Sequence, residues 1–277
     1  MIIGENMKDI AKKSNTLYLL DKYKLQASKK FGQNFLIDLN TIQKIVNMTP
    51  IDQNTCVVEI GPGIGALTEQ LAYKAKKVIC FEIDTRLQAV LEESLDEFDN
   101  VEIIFQDFLT VDLKNVVEEL KKEYEKVCIV ANLPYYITSD ILEHIITTNA
   151  NLYSIHAMVQ KEVALKLTDT SYHSPLTYMI ESIGTIGLDM TVSKNVFSPA
   201  PHVDSAIISI MKTKDYNPLL SKILKTAFTQ KRKTIYNNLK ALFQDKTSDI
   251  LKKCQIDEKT RPEQLTIDDY LKLTHYL

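Results

Sequence analysis

The sequence predicts an α/β protein, a mostly parallel sheet with helices on both faces, followed by a small all-helical C-terminal domain. Three observations predict it. Short apolar runs alternate with amphipathic stretches from residue 56 to about residue 160, and strands alternating with helices at short range build parallel sheets. Beyond about residue 213 the strand signal stops and the chain reads as helices. The length, 277 residues, accommodates one large domain and a small one. The boundary falls near Lys212 to Pro218, dividing the chain into 1–212 and 213–277.

Residues 1–30 form a lysine-rich arm, where between Lys8 and Lys30 the lysines Lys8, Lys12, Lys13, Lys22, Lys24, Lys29 and Lys30 face only Asp9 and Asp21; Leu17, Leu20 and Leu25 give part of it a helical spacing. After KKFGQNFLID, Asp38 or Asn40 is placed to cap a helix carrying Ile42, Ile45 and Val46. CVVEI (56–60) reads as a buried strand, GPGIG (61–65) as a tight turn, and ALTEQLAYKA (66–75) as a helix with Leu67 and Leu71 on one face. VICFEID (78–84) and VEIIFQD (101–107) are the next strands, each followed by a helix, around Leu87 to Leu95 and from Leu113 to Tyr124. VCIVANLPYY (127–136) is a strand running into a Pro-aromatic loop. A helix from Ser139 to Ile146 and the strand IHAMVQ (155–160) follow. VFSPAPHVDSAIISIMK (196–212) reads as a two-proline loop feeding a final edge strand.

A net charge of −3 excludes a bulk polycation, so any nucleic-acid contact must come from local patches. Apolar residues at 45% and charged residues at 25% suffice for an ordinary core without disulfide or metal. Cys56, Cys80, Cys128 and Cys254 form no C-x-x-C pair and have no His at a zinc-like spacing, so buried free thiols are expected. MIIGENMKDIAKK has no signal-peptide core, and no apolar run approaches the ~18 residues of a membrane span; a soluble cytoplasmic protein is expected.

The chemistry-bearing positions fall where strands end, which is where open α/β sheets bind ligands. The first is E-x-G-P-G-x-G, Glu59 to Gly65. Glycines there let the backbone approach a ligand, but the third comes one residue early for an NAD fingerprint. An acid beside the turn disfavours phosphate and suits a cationic amino-acid ligand. Gly61 is the candidate contact. Glu82, 21 residues on, has two oxygens to match a ribose diol, with Asp84 a nearby rival. Asp107 is placed to accept from an adenine amino group, with Phe108 or Ile83 flanking the ring.

Asn132-Leu133-Pro134-Tyr135 is the most informative segment. The N6 lone pair of adenine is delocalised into the ring, so the amine is a poor nucleophile. The Asn132 side-chain oxygen and a backbone carbonyl, that of Leu133 being the candidate, can accept both N6 hydrogens and stabilise charge as it develops. Pro134 constrains the loop, and Tyr135 or Tyr136 can stack on a target base turned out of its helix. Phe197, before two prolines, is either the other wall of a base pocket or a core or hinge phenylalanine. From Lys212 to Lys240 eight basic residues face Asp215 alone, among them Lys231, Arg232 and Lys233 beside Tyr236, Asn237 and Asn238. Such a cluster suits RNA phosphates, although a solvated helix face has the same composition.

KKFGQNFLID, VVEIGPGIGALTEQLA, FEID, QDF, NLPYYITS, QKEVA, VFSPAPHVDS, AFTQKRKTIYNNLK and RPEQL, in this order from about Lys29 to Leu273, resemble the bacterial KsgA (RsmA) family of small-subunit rRNA adenine dimethyltransferases related to eukaryotic Dim1. The resemblance implies a Rossmann-like class I methyltransferase sheet, mostly parallel and seven-stranded with one antiparallel edge strand, and a helical C-terminal domain that contacts rRNA. It implies S-adenosylmethionine as cofactor, S-adenosylhomocysteine as product, and no metal. The implied reaction is N6,N6-dimethylation of two adjacent adenosines in the 3′-terminal hairpin loop of 16S rRNA, late in small-subunit assembly; a monomer is expected. By the same resemblance Asn34 and Leu36 touch the cofactor from the N-terminal segment, Gly61 its methionine part, Glu82 its ribose and Asp107 its adenine. Asn132 lies between cofactor and target amine, with Tyr135 and Phe197 around the base.

Three departures concern RNA docking. Lys166 stands where the family usually has Arg, YHSPL (172–176) replaces a Tyr-Gly-Pro-Leu-type segment, and Lys231-Arg232 stands where two arginines are usual. The nearest rival is an Erm-type 23S rRNA methyltransferase, which shares QNF and a relative of NLPY; FGQNFLID, the Leu of NLPY and RPEQL favour the small-subunit enzyme. DNA adenine and protein glutamine methyltransferases use a similar Asn-Pro-aromatic loop but explain the basic helical C-terminus less well. From another class, a non-catalytic assembly factor is opposed by the intact Glu82 and Asn132.

Overall fold

The computed structural model describes residues 9–28 and 31–277; Lys8, Lys29 and Lys30 of the basic arm lie outside the described residues. The arm forms helix α1 (Lys13–Lys22), followed by the two-residue strand β1 (Phe35–Leu36) and helix α2 (Leu39–Met48). Of the two candidate caps for α2 it is Asp38 that accepts from the Thr41 N–H at 2.7 Å, and Ile42, Ile45 and Val46 are buried as their spacing required.

The central unit then alternates strictly: β2 (Thr55–Ile60), α3 (Ala66–Lys74), β3 (Lys77–Glu82), α4 (Gln88–Ser94), β4 (Val101–Phe105), α5 (Leu113–Leu120), β5 (Lys126–Asn132), α6 (Thr138–Thr147) and β6 (Ser154–Gln160). All six residues of β2 are buried, which only a strand covered on both faces achieves. Next come α7 (Lys161–Thr168), α8 (Pro175–Ile183), β7 (Gly184–Val192), β8 (Phe197–Ser198) and β9 (Ser205–Lys212). The main sheet has seven strands in the order β4-β3-β2-β5-β6-β9-β7. Strands β2 to β6 are parallel and β9 runs antiparallel to both its neighbours. The chain steps outward from β2 to β3 and β4, then returns to lay β5 on the other side. That reversal opens a crevice at the carboxyl ends of β2 and β5.

One expectation needs correction. The strand after the two prolines, β9, is not the rim. It is flanked on both sides, and β7 takes the outermost place. Pro199 and Pro201 precede the ladder, so they do not bar pairing on either side, and five of the first six β9 residues are fully buried. β7, half-exposed along its length, has the burial of an edge strand.

Past β9 come α9 (Pro218–Ala227), α10 (Ile235–Phe243), α11 (Thr247–Lys253) and α12 (Ile267–Thr274). They pack on the sheet through α8. The buried Tyr178 donates to the Leu265 carbonyl at 2.5 Å, and its ring meets that of Tyr270 edge-on at 4.8 Å. One apolar cluster therefore runs from the sheet through Tyr178 into Leu220, Leu239 and Leu273. A second cluster fills the other face beneath α1 to α4. The four cysteines are buried free thiols, and among the described residues no helix is long and apolar enough to cross a membrane.

Candidate active site

The crevice is a cavity lined by the ends of β2 to β5 and closed on one side by residues 31–36. Of the residues expected to touch the cofactor or the target base, it gathers all but one, the rival Asp84 aside. Asn34, Leu36, Gly61, Glu82, Ile83, Asp107, Phe108, Asn132, Leu133, Pro134 and Tyr135 all line it; Phe197 does not. Phe197 is 3% exposed, in β8, where it pairs across an antiparallel ribbon with Leu36. It sits beside Leu36 across the ribbon, buried rather than lining the cavity.

At the end of β2 the chain turns at Gly61, whose φ of 69° lies in the left-handed region that a side chain resists. A Cβ there would meet nothing within 4 Å, so the turn leaves an open cradle. The Gly61 N–H is tied to the Phe81 carbonyl at 2.9 Å, which fixes the turn. Below it Glu59 is buried, and burial pushes its carboxyl up to about 7, with repulsion from Glu82 adding to the rise. A cation bound in the cradle would reverse that rise.

Glu82 ends β3. Its Oε1 accepts from the Asp84 N–H at 2.8 Å and its Oε2 from the Gly63 N–H at 3.3 Å; burial raises its carboxyl and these bonds oppose the rise. Each oxygen keeps a lone pair for a second donor. The rival Asp84 is already engaged. Its oxygens accept Arg86 Nε at 2.8 Å, Arg86 Nη2 at 2.6 Å and Gln33 Nε2 at 2.9 Å, and it does not line the cavity. Beyond β4, Asp107 Oδ1 accepts from the Leu109 N–H at 3.0 Å. The buried Phe108 ring is held edge-on against Phe81 and His144, whereas Ile83 is 45% exposed on the cavity's lip.

Asn132 is the last residue of β5. Its Nδ2 donates to the Asn34 carbonyl at 3.5 Å, and among the described residues nothing donates to its Oδ1. The Leu133 N–H is bound to the Met158 carbonyl at 3.1 Å. The Pro134 carbonyl is taken by the Ile137 N–H and by Thr138 Oγ1, at 3.3 and 3.1 Å, whereas among the described residues no loop N–H reaches the Leu133 carbonyl. Tyr135 shares a 2.5 Å hydrogen bond with Ser205 Oγ. Tyr136 is 57% exposed and lies against Gly32, where a Cβ would come within 3.1 Å of its ring.

Sequence reasoning missed Gln33. Its amide oxygen accepts from the Ser28 N–H at 2.8 Å while its nitrogen reaches Asp84, so it ties the N-terminal segment over the cavity. A polar residue between Gly32 and Asn34 carries no local signal of that reach. The basic stretches are also less free than their composition indicated. Lys12, Lys22, Lys212 and Lys225 are ion-paired with Asp9, Glu93, Asp215 and Glu143, whereas Lys231, Arg232 and Lys233 are exposed with no ion pair among the described residues. Among the described residues no group of three or more His, Cys, Asp or Glu could hold a metal ion.

The family model for ribosomal RNA adenine dimethylase matches residues 24–277. The chain is 41% identical to ribosomal RNA small subunit methyltransferase A of Staphylococcus carnosus, covering 98% of this chain and 97% of that one. It is also 41% identical to the protein of the same name from Staphylococcus aureus strain Newman, over 96% and 95%. Among solved structures, the 23S rRNA methyltransferase ErmE superposes with a TM-score of 0.64 at 26% identity, covering 88% of this chain and 99% of that one. A dimethyladenosine transferase from Plasmodium falciparum shares the fold with a TM-score of 0.68 at 23% identity, over 86% and 95%.

Proposed function

The chain belongs to the ribosomal RNA adenine dimethylase family, and from that premise we propose that it transfers methyl groups from S-adenosylmethionine to N6 of two adjacent adenosines in the 3′-terminal hairpin loop of 16S rRNA, acting as a monomer late in small-subunit assembly. The observation that carries the reading is the pair of open acceptors, Asn132 Oδ1 and the Leu133 carbonyl, at the cavity end of β5.

The open cradle at Gly61, the buried acid below it and the diol-matching carboxylate of Glu82 fit a nucleoside joined to a cationic amino acid. Gly61 and Glu59 face its methionine part, Glu82 its ribose, and Asp107 Oδ2 its adenine amine, with Phe108 and Ile83 about the ring. Asn34 and Leu36 close the cavity from the N-terminal segment. When bound, this group supplies an electrophilic methyl on a cationic sulfur. The residues of the chain position the acceptor. Asn132 Oδ1 and the Leu133 carbonyl draw both hydrogens of the target amine, turning its lone pair toward the cavity and stabilising charge as it forms. The nitrogen becomes acidic once alkylated, so its proton can pass to water and no strong base is required. After the first transfer one hydrogen remains, and a single acceptor suffices for the second. Pro134 holds the loop, Tyr135 and Tyr136 offer rings to the flipped base, and Phe197 sits beside Leu36 across the ribbon.

Asn132→Ala tests the assignment. Methyl transfer to undermethylated small subunits is expected to fall by about 10²- to 10³-fold, the usual cost of one such acceptor or donor. Binding of the subunit and of cofactor should stay within a few-fold. Equal loss of transfer and binding would remove Asn132 from the chemistry.

A further inference from the structure

A second cleft opens beside the first, at the end of the neighbouring strand. It is formed by Lys161, Glu162 and Leu165 at the start of α7 and by Lys194, His202, Val203 and Asp204 from the loops around β8. We propose that this cleft seats a backbone phosphate of the RNA next to the flipped adenosine. The inference deepens the reading of the chain as an RNA methyltransferase and rests on it.

Three observations carry it. First, Lys161 and Lys194 have no ion pair or side-chain hydrogen bond among the described residues, although many of the chain's lysines do. Neither acid in the cleft is ion-paired with them among the described residues. Glu162 is paired with Lys166 at 2.7 Å, and Asp204 accepts the backbone N–H of Lys194 on Oδ1 at 3.0 Å and that of Lys161 on its carbonyl at 2.9 Å. Two lysines without an ion pair, with the exposed imidazole of His202, therefore line one cleft together with Asp204.

Second, the walls suit a nucleotide rather than a bare anion. Leu165 is 52% exposed and Val203 44% exposed, giving an apolar surface for a ribose or base edge beside the cations.

Third, the cleft is built into the target-amine site. β6 lies beside β5, about 5 Å away as neighbouring strands do, and Gln160 leads directly into Lys161. Asp204, which fixes both lysine backbones, is followed by Ser205, whose Oγ holds the Tyr135 phenol at 2.5 Å. A phosphate on Lys161 and Lys194 is thus registered against the aromatic that faces the target base.

The double variant Lys161→Gln/Lys194→Gln tests this. The KM for undermethylated small subunits is measured by methyl transfer across a monovalent salt series at fixed magnesium. Each phosphate contact to a single strand steepens the log–log salt slope by about 0.7. Losing that one phosphate contact should flatten it by about 0.7, equivalent to about 5-fold weaker binding at 0.1 M salt with convergence near 1 M. The kcat and the affinity for S-adenosylhomocysteine should be unchanged, and Lys161→Arg/Lys194→Arg should restore the slope. Lys121→Gln/Lys122→Gln, the same charge change just before β5 at the opposite end of the strands, should leave it near wild type. A wild-type slope in the glutamine variant, or equal flattening in the distal control, overturns the phosphate site while leaving the methyltransferase reading in place. A wild-type protein that neither binds nor methylates subunits overturns both.

Discussion

The two halves of the cavity are built differently. At the ends of β2, β3 and β4 the polar groups are held by backbone. Both oxygens of the 4%-exposed Glu82 accept N–H groups, Asp107 accepts Leu109 N–H, and Gly61 N–H is tied to Phe81. At the end of β5 the short turn Tyr135–Ile137 contains no buried residue, Tyr136 stands 57% exposed, and the acceptors of Asn132 and Leu133 receive no donor among the described residues. The lesson is a division of labour. The side assigned to the cofactor is finished before anything binds, whereas the side assigned to the base is left for RNA to complete, consistent with a pocket entered by a base taken out of its stack.

Substitutions can break that contrast. On the finished side, Gly61→Ala should have the largest effect, because the new Cβ fills the open cradle and strains a left-handed residue. Titration with S-adenosylhomocysteine should show affinity lower by about 10- to 100-fold, on the scale of 1–3 kcal/mol for an overfilled site. Unchanged affinity would empty the cradle of meaning. Glu82→Gln should follow at about tenfold in the same titration. Its amide places a donor against one of the two N–H groups that now point at the carboxylate.

Smaller, and specific to pH, is Glu59. Its folded carboxyl is raised from 4.5 to about 7 by burial, so the stability it permits is full below pH 4.5 and is lost as pH rises through 7. The ligand-free Glu59→Gln protein should match wild type at pH 4.5 and be more stable by at most about 3 kcal/mol at pH 8, from 1.36 kcal/mol per pKa unit. Denaturant unfolding at the two pH values measures this. A difference independent of pH would mean that the carboxyl is not desolvated as its burial implies.

Both halves were legible where a strand ends in a turn, Asn132 to Tyr135 included. Gly61, Glu82 and Asp107 sit at the ends of strands with unbroken apolar runs, and a strand end followed by a turn is a local signal. The five central parallel strands followed from the same runs, and the count of seven came with the family resemblance. The rest depends on partners distant in sequence. The ribbon of Phe35–Leu36 with Phe197–Ser198 joins two-residue strands far apart in the chain, so nothing local placed Phe197 in that ribbon rather than in the cavity. The rim strand β7, GTIGLDMTV, opens and is interrupted by glycine, and its half-exposed pattern lacked the dense apolar run that marked the others. Gln33 reaches across the fold through Asp84, 51 residues on.

The central claim, methylation of an adenine amino group in small-subunit rRNA, is tested most directly by identifying the product. Purified protein, labelled S-adenosylmethionine and undermethylated ribosomal subunits are incubated, and the rRNA is digested to nucleosides for mass spectrometry. The account predicts N6,N6-dimethyladenosine arising from the 3′-terminal hairpin of 16S rRNA, at adjacent positions. Label confined to large-subunit rRNA, or carried on a ring nitrogen or a ribose instead of N6, would contradict it.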